Sequence, residues 1–344
     1  IGYESLGQTG AAIEQFTLAA AARERLGDRL GAANSLRNLA AAEAVRGDAD
    51  AAEAALLRAE RQLDGIEAPA ARADLLNDRG LIAEERGDFR TALGAYRDAL
   101  ALRQAEGDTS RIAEGQYNVG FAYYQMGEFD NALVYWRQSE AEYARGADDA
   151  GRLRAQESLA LIDIARGAWD AARATLGRVV ADAETLQMSE EHAVGLHYLA
   201  ELDRLQGDLS AALENTARSA RFFAQRQDQR GMVEVELLRA SIELDAGAWE
   251  AGRDTLSRVD ASRLTSSEQT ALRALRQARA QAGLGAVDEA DAALSEARAA
   301  AIEAHSQTLL IEIDLRDAEY AWRRGDGARA QRSLMQADAA LERF

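Results

Sequence analysis

One motif returns along almost the whole chain at a fixed interval. It reads "LGQTGAAI" around Gly7, "RGDADAAE" around Gly47, "RGDFRTAL" around Gly87, "MGEFDNAL" around Gly127 and "RGAWDAAR" around Gly167. It continues as "QGDLSAAL" around Gly207, "AGAWEAGR" around Gly247, "LGAVDEAD" around Gly285 and "RGDGARAQ" around Gly325. Consecutive glycines stand 40 residues apart, except Gly247 and Gly285, which stand 38 apart. A period of this size marks stacked supersecondary units that share interfaces with their neighbours. The 344 residues are therefore expected to form a single array over 1–344, not the separate globular domains that length alone would suggest.

Each unit has room for two amphipathic helices. In the fourth, "RIAEGQYNVGFAYYQM" precedes Gly127 and "FDNALVYWRQSEAEYA" follows it. Alanine, leucine, arginine and glutamate dominate and Pro69 is the only proline, the composition of a chain helical nearly throughout. No alternating β-branched run suggests a strand. Glycine at the turn tolerates a left-handed backbone, and the acidic residue after it suits the N-terminus of the next helix. A second set of turns, around Gly27, Gly65, Gly107 and Gly146, closes the units. Pro69 falls there near a helix start, where its missing N–H costs little.

Two columns of small residues follow from the frame. Seven residues before the turn glycine stand Ala40, Gly80, Gly120, Ala160, Ala200, Ala240, Ala278 and Ala318. Five after it stand Ala12, Ala52, Ala92, Ala132, Ala172, Ala212, Gly252, Ala290 and Ala330. Such side chains let two backbones approach, so they are expected to mark the crossing within each hairpin. Nine after the glycine the column is mainly large: Phe16, Leu56, Tyr96, Trp136, Leu176, Thr216, Leu256, Leu294 and Leu334. Those residues are expected to fill the space between successive hairpins.

The order small residue, turn glycine, aromatic, alanine, aromatic resembles the tetratricopeptide repeat, and "YNVGFAYYQMGEFDNALVYW" is close to that family's consensus. The family's usual period is about 34 residues, so this chain is similar to a longer variant. HEAT and armadillo repeats also have periods near 40, but HEAT hairpins carry a first-helix proline that is missing here. The resemblance implies an all-α solenoid, a right-handed superhelix of about nine stacked helix-turn-helix hairpins with the first incomplete.

Bulk properties narrow the function. A formal charge of −18 argues against nucleic acid, whose phosphates reward clustered cations. The chain has no lysine, for which GC-rich coding bias or selection against lysine modification would account. Without cysteine there is no disulfide framework or thiolate chemistry. No apolar run approaches the roughly 20 residues of a membrane span, so no membrane insertion is expected. No signal peptide is visible; the cytoplasm is the expected compartment, with the periplasm left open. Ile1 is not an initiator methionine, and the segment is expected to belong to a larger protein with an attached domain.

The residues offer little catalytic chemistry. His192 and His197 are five apart, pointing about 140° apart on a helix, and make poor joint ligands. Paired carboxylates such as those in "SEEH" and "GADDAG" read as solvated helix faces and helix starts. No Walker loop or nucleophile elbow occurs. The expectation is a protein that is not an enzyme and has no cofactor and no metal.

What remains is binding. The family resemblance implies a concave groove lined by the first helix of each pair. Carried over by position, its candidates are Arg37, Asn38, Asn77, Asp78, Tyr117, Asn118, Phe121, Tyr124, Glu157, His197, Tyr198, Glu201 and Arg204. Asn38 and Asn118 share a repeat position, where long-repeat relatives use asparagine to grip a ligand backbone; the alternative is a bridge between helices. The carboxylate clamp of chaperone-binding members needs groove lysines, and only Arg37 beside Asn38 hints at it. Asp74, Asp78, Glu84, Glu85 and Glu114 form an expected acidic wall opposed nearby by Arg37 alone. With Tyr117, Phe121 and Tyr124 it would suit a basic peptide carrying an apolar anchor.

The function implied is a protein- or peptide-binding scaffold or regulatory segment of a larger bacterial signalling protein. The alternative is a self-associating structural module, a homo-oligomer joined through its end repeats. One local irregularity stands apart. The 38-residue unit carries "VDASRLTSSEQ", which predicts a shortened helix after Trp249 and a fresh start near Thr265, with Thr265 and Glu268 as a capping box.

Overall fold

Asp28, Asp48, Asp88, Asp108, Asp208, Asp228 and Asp326 each accept a hydrogen bond from the backbone N–H three residues on, and each starts a helix. This turns the acidic residue after the turn into a specific cap, worth about 1 kcal/mol. Glu128 holds the same repeat position with one more methylene and makes no such cap; its carboxylate takes Asn131 Nδ2 at 2.7 Å instead. The computed structural model describes residues 6–264 and 266–342. Over them the protein is all-α: seventeen α-helices and one 3₁₀ turn, with no strand among the described residues.

The chain divides into two compact units, Ile1–Ala155 and Gln156–Phe344, with the boundary inside α8 (Asp149–Ala165). In the first unit, α1 (Leu6–Leu26) precedes three hairpins. These are α2 (Arg29–Val45) with α3 (Ala49–Leu63), α4 (Pro69–Glu85) with α5 (Phe89–Glu106), and α6 (Thr109–Gln125) with α7 (Phe129–Arg145). The second unit holds α9 (Trp169–Thr185), then α10 (Ser189–Leu205) with α11 (Leu209–Gln225) and α12 (Gln229–Asp245) with α13 (Trp249–Arg258). It ends with α14 (Ser267–Gly283) with α15 (Val287–Glu303), and α16 (Gln307–Arg323) with α17 (Gly327–Leu341).

The turn glycines from Gly47 to Gly325 all have positive φ, between 70° and 84°. Gly7 does not mark a turn, because α1 already begins at Leu6. The closing turns also differ from expectation in one place. Gly146 is right-handed, and Ala147 takes the left-handed position with φ 55°. Gln187, Gln227 and His305 do the same in later units, where Gly27 and Gly107 serve earlier. A left-handed non-glycine residue costs roughly 1–2 kcal/mol, and Ala147 is exposed, so its methyl stabilises nothing in return. Ala147→Gly is accordingly expected to raise the stability of the first unit by about 1 kcal/mol. A denaturant midpoint that falls would contradict it.

Both small-residue columns lie at the helix crossings. Ala40, Ala160, Ala200, Ala240 and Ala278 are fully buried, as are Ala52, Ala92, Ala132, Ala172 and Ala212. The large column meets its own hairpin as well as the next. Leu56 clusters with Ala40 across its hairpin and with Leu75 and Ile82 of α4, and Leu294 with Ala278 and with Leu309 and Ile313 of α16.

The 38-residue unit is irregular where expected. α13 has 10 residues against 17 in α12, a 3₁₀ turn follows at Ala261–Arg263, and α14 restarts at Ser267. Ser266 provides the cap, accepting from Gln269 N at 3.1 Å. Thr265, the expected cap, lies outside the described residues. No helix of the described residues is long and apolar enough to cross a membrane.

Candidate functional site

Within each unit the first helices of successive hairpins lie side by side, α2 against α4 in one, α10 against α12 against α14 against α16 in the other. Their shared surface carries the candidate residues, and the geometry sorts them.

In the first unit Arg37 reaches from α2 to α4, pairing with Asp78 at 2.6 Å and Asp74 at 3.0 Å. Asn118 Nδ2 on α6 donates to Asn77 Oδ1 on α4 at 2.9 Å. Both bridges join position nine before one turn glycine to position ten before the preceding one, an offset of 41 residues. The Asn118 amide is therefore a link between first helices. Asn77 is buried, whereas Asn38 is exposed with no such link among the described residues.

The acidic wall is not opposed by Arg37 alone. Arg111 meets Asp74 at 2.6 Å, and Arg103 lies 3.7 Å from Asp74 and 3.4 Å from Glu114. Glu84 accepts the Tyr96 hydroxyl at 2.7 Å. Arg103 was missed because it comes from α5, a second helix, and reaches the first-helix layer from beneath. Burial pushes the Asp78 carboxyl above its ordinary range, against the pull of Arg37.

The aromatic floor is partly structural. Tyr117 and Tyr124 lie 6.1 Å and 5.4 Å from the buried Trp136 ring, and Tyr124 also meets Phe129 at 5.5 Å. Burial raises the Tyr124 hydroxyl's pKa. The Arg154 guanidinium covers the other ring, 5.2 Å from the Tyr117 centroid. Phe121 is half-buried on the same helix.

In the second unit Glu157 is buried, with an oxygen 3.7 Å from where a Cβ on Gly195 would stand, so it faces protein and not an open groove. His197 and Tyr198 meet edge to face at 5.8 Å, and Tyr198 packs against the cluster of Ala160, Ala172, Leu176 and Leu202. Burial pushes His197 below its ordinary pKa, although Glu234 and Glu201 oppose the shift. Arg204 holds Glu201 through two bonds of 2.6 and 2.9 Å and reaches Asp245 at 2.6 Å, again across 41 residues. Arg279 completes the pair from α14, 2.6 Å from the other Asp245 oxygen. Arg276 and Arg279 stand nine and six residues before Gly285, in the columns already used for the candidates. The frame contained the signal for both. Among the described residues, no group of three or more histidine and carboxylate side chains could hold a metal ion.

Solved structures share this architecture. A tetratricopeptide repeat protein from Parabacteroides merdae matches with a TM-score of 0.52 and 18% identity, over 78% of this chain and 92% of that one. The fold is of the tetratricopeptide-repeat type. A Rap protein solved with Competence and Sporulation Factor matches this repeat fold with a TM-score of 0.71 and 14% identity, over 98% of each chain. The Rap conjugation gene regulator of the plasmid pLS20, solved with the Phr* peptide, matches with a TM-score of 0.66 and 12% identity, over 98% of this chain and 95% of that one. Aspartyl phosphate phosphatase F from Bacillus subtilis matches with a TM-score of 0.63 and 13% identity, over 99% and 95%. At these identities the likeness is one of fold. No protein-family model matches the sequence, and no curated protein matches it either.

Proposed function

We propose that the protein is a non-catalytic scaffold binding a protein or peptide segment along its first-helix faces, as the regulatory part of a larger bacterial signalling protein. The observation that carries this is the layer of neighbouring first helices in each unit, with α6 joined to α4 through the Asn118–Asn77 bond in the first. In the first, Arg37, Asp78, Tyr117, Asn118, Phe121 and Tyr124 are partly exposed beside an exposed Asn38. A rigid polar and aromatic surface of this kind suits an extended or helical segment. Two proteins of the same fold were solved with Competence and Sporulation Factor and with the Phr* peptide, which supports a peptide as the ligand class. The basic-peptide expectation loses its premise, because Asp74, Asp78 and Glu114 already face Arg37, Arg103 and Arg111. The fold is shared with a phosphatase; hydrolysis of acetyl phosphate is the activity to assay, and none is expected.

The two asparagines separate binding from stability. Asn118→Ala leaves the buried Asn77 carbonyl without its donor and is expected to cost about 1–3 kcal/mol. Asn38→Ala should leave thermal stability unchanged and weaken peptides selected from a display library on the native chain. Selected peptides that bind the Asn38→Ala, Phe121→Ala double variant undiminished would move the site elsewhere.

Self-association is the second reading, and one observation favours it. Nine and sixteen residues after the turn glycine, Leu294 and Ala301 are 3% and 0% exposed, whereas Leu334 and Leu341 on α17 are 51% and 55% exposed. Light scattering across concentration would detect a dimer made through that face, and Leu334→Glu would abolish it.

A further inference from the structure

The first-helix columns of the second unit carry four arginines, Arg204 on α10, Arg276 and Arg279 on α14 and Arg316 on α16. Three form ion pairs, Arg316 with Glu319 at 3.0 Å. Arg204 and Arg279 share the Asp245 carboxylate, one oxygen each, and Arg204 also occupies both oxygens of Glu201. Arg276 is different. Its Nε donates to Ser241 Oγ, a neutral partner on α12, and its Nη1 is buried with no acceptor. It forms no ion pair among the described residues; Glu201 and Glu312 act on it only at longer range. Burial lowers its pKa to about 10, which still leaves it cationic at neutral pH.

A buried guanidinium N–H without an acceptor is costly, and a group left in that state calls for an explanation. The repeat frame shows where a missing acceptor would come from. Arg276 stands in the column that in the first unit holds Asp78 and Asn118, each of which bridges to the preceding first helix. Its counterpart on α12 is Leu237, which is buried and offers no acceptor. The bridge that satisfies this column elsewhere cannot form here. His197, kept neutral by burial, supplies no charge. Arg276 itself remains partly exposed on the face.

We propose that Arg276 is the docking group for an acidic side chain of the peptide bound on the second unit. The inference rests on the peptide-binding reading and narrows its ligand class. A carboxylate fits because the planar guanidinium presents parallel N–H groups that a carboxylate accepts in pairs, and Leu237 and Leu238 on α12 and Leu275 beside Arg276 are buried and offer no side-chain acceptor. Glu312 on α16 is the internal competitor, close enough to raise the affinity of Arg276 for its proton.

Two random hexapeptide libraries, one amidated and one with a free C-terminal carboxylate, test this on the full chain. Bound peptides would be sequenced from native protein and from Arg276→Gln, Arg276→Lys and Glu312→Gln, each checked for native helicity by circular dichroism. Acidic residues should be enriched in the amidated pool on native protein, with a Glu-containing binder at least tenfold tighter than its Gln analogue. Arg276→Gln should abolish that ratio, Arg276→Lys should retain part of it, and Glu312→Gln should increase it. A preference for the C-terminal carboxylate alone would overturn the side-chain assignment. So would a Glu-to-Gln ratio that survives in Arg276→Gln. Bound peptides with no acidic preference would overturn this inference and leave the peptide-binding reading intact. Libraries that bind nowhere would overturn both.

Discussion

Replacing Trp136 by alanine is expected to lower the stability of the first unit by about 3–5 kcal/mol. Trp136 is 1% exposed, and its Nε1 donates to the Tyr117 carbonyl at 3.0 Å. A Cβ built on Gly120 would stand 2.5 Å from Trp136 Cδ1, so the glycine is what admits the indole. Gly80 stands in the same relation to Tyr96, at 2.3 Å. In other hairpins the pair is alanine with leucine, as in Ala40 with Leu56 and Ala160 with Leu176, and Ala200 stands opposite Thr216. Small and large residues therefore compensate across the hairpin, sixteen residues apart.

Compensation makes a sharper test than either truncation. Gly120→Ala alone is expected to cost about 1–3 kcal/mol by overpacking, and Trp136→Leu alone should open a cavity. Together they recreate the Ala160 and Leu176 arrangement. The double variant should be more stable than the two losses summed, by an interaction energy of about 1–3 kcal/mol. Urea denaturation of the four proteins, with hydrogen exchange to confirm that α6 and α7 are affected, measures it. Simple additivity would show that the indole and the glycine do not share one space.

The fold was legible because the repeat fixes both composition and register. Helix starts followed from aspartate after glycine, and the crossing points from columns that admit nothing larger than alanine. The site was less legible for an identifiable reason. Position in the repeat tells which helix face a residue occupies, but not whether a side chain 41 residues away completes it. Asn118 and Arg37 hold groove columns and spend their polar atoms on Asn77 and Asp78. Arg103 enters the layer from a second helix, outside the columns considered. Polar bridges also recur at an offset of 12 across the hairpin, joining Tyr96 to Glu84, Asn215 to Asp203 and Thr255 to Glu243. Reading complementary pairs at 12 and 41 along with the period would have recovered most of these partners.

Acid is expected to unfold the second unit before the first. In the second, Arg324 and Arg329 hold the Asp291 carboxyl below its ordinary range. Burial opposes the same shift at Asp317, Asp245 and Glu201, yet bonds from Arg329 and Ser333, from Arg279 and Arg204, and from Arg204 respectively outweigh it. In the first unit the shift at Asp78 runs upward through burial. The signs differ in consequence. A carboxylate depressed on folding stabilises the native state above its unfolded value, here 3.8 for aspartate and 4.5 for glutamate, and that contribution disappears as pH falls through the folded value. A carboxyl raised on folding favours the native state in acid and loses that contribution as pH rises. As pH falls below about 5, then, the second unit loses these contributions together while Asp78 pulls the first the other way. Hydrogen exchange at pH 3 and pH 7, corrected for intrinsic rates, should show α16 and α17 losing protection while α4 and α5 keep theirs. Asp317→Asn should weaken the second unit at neutral pH and flatten its acid dependence, because it removes one titrating group together with its bonds to Arg329 and Ser333. If α16 and α17 stay as protected at pH 3 as α4 and α5, these arginine bonds do not stabilise the unit.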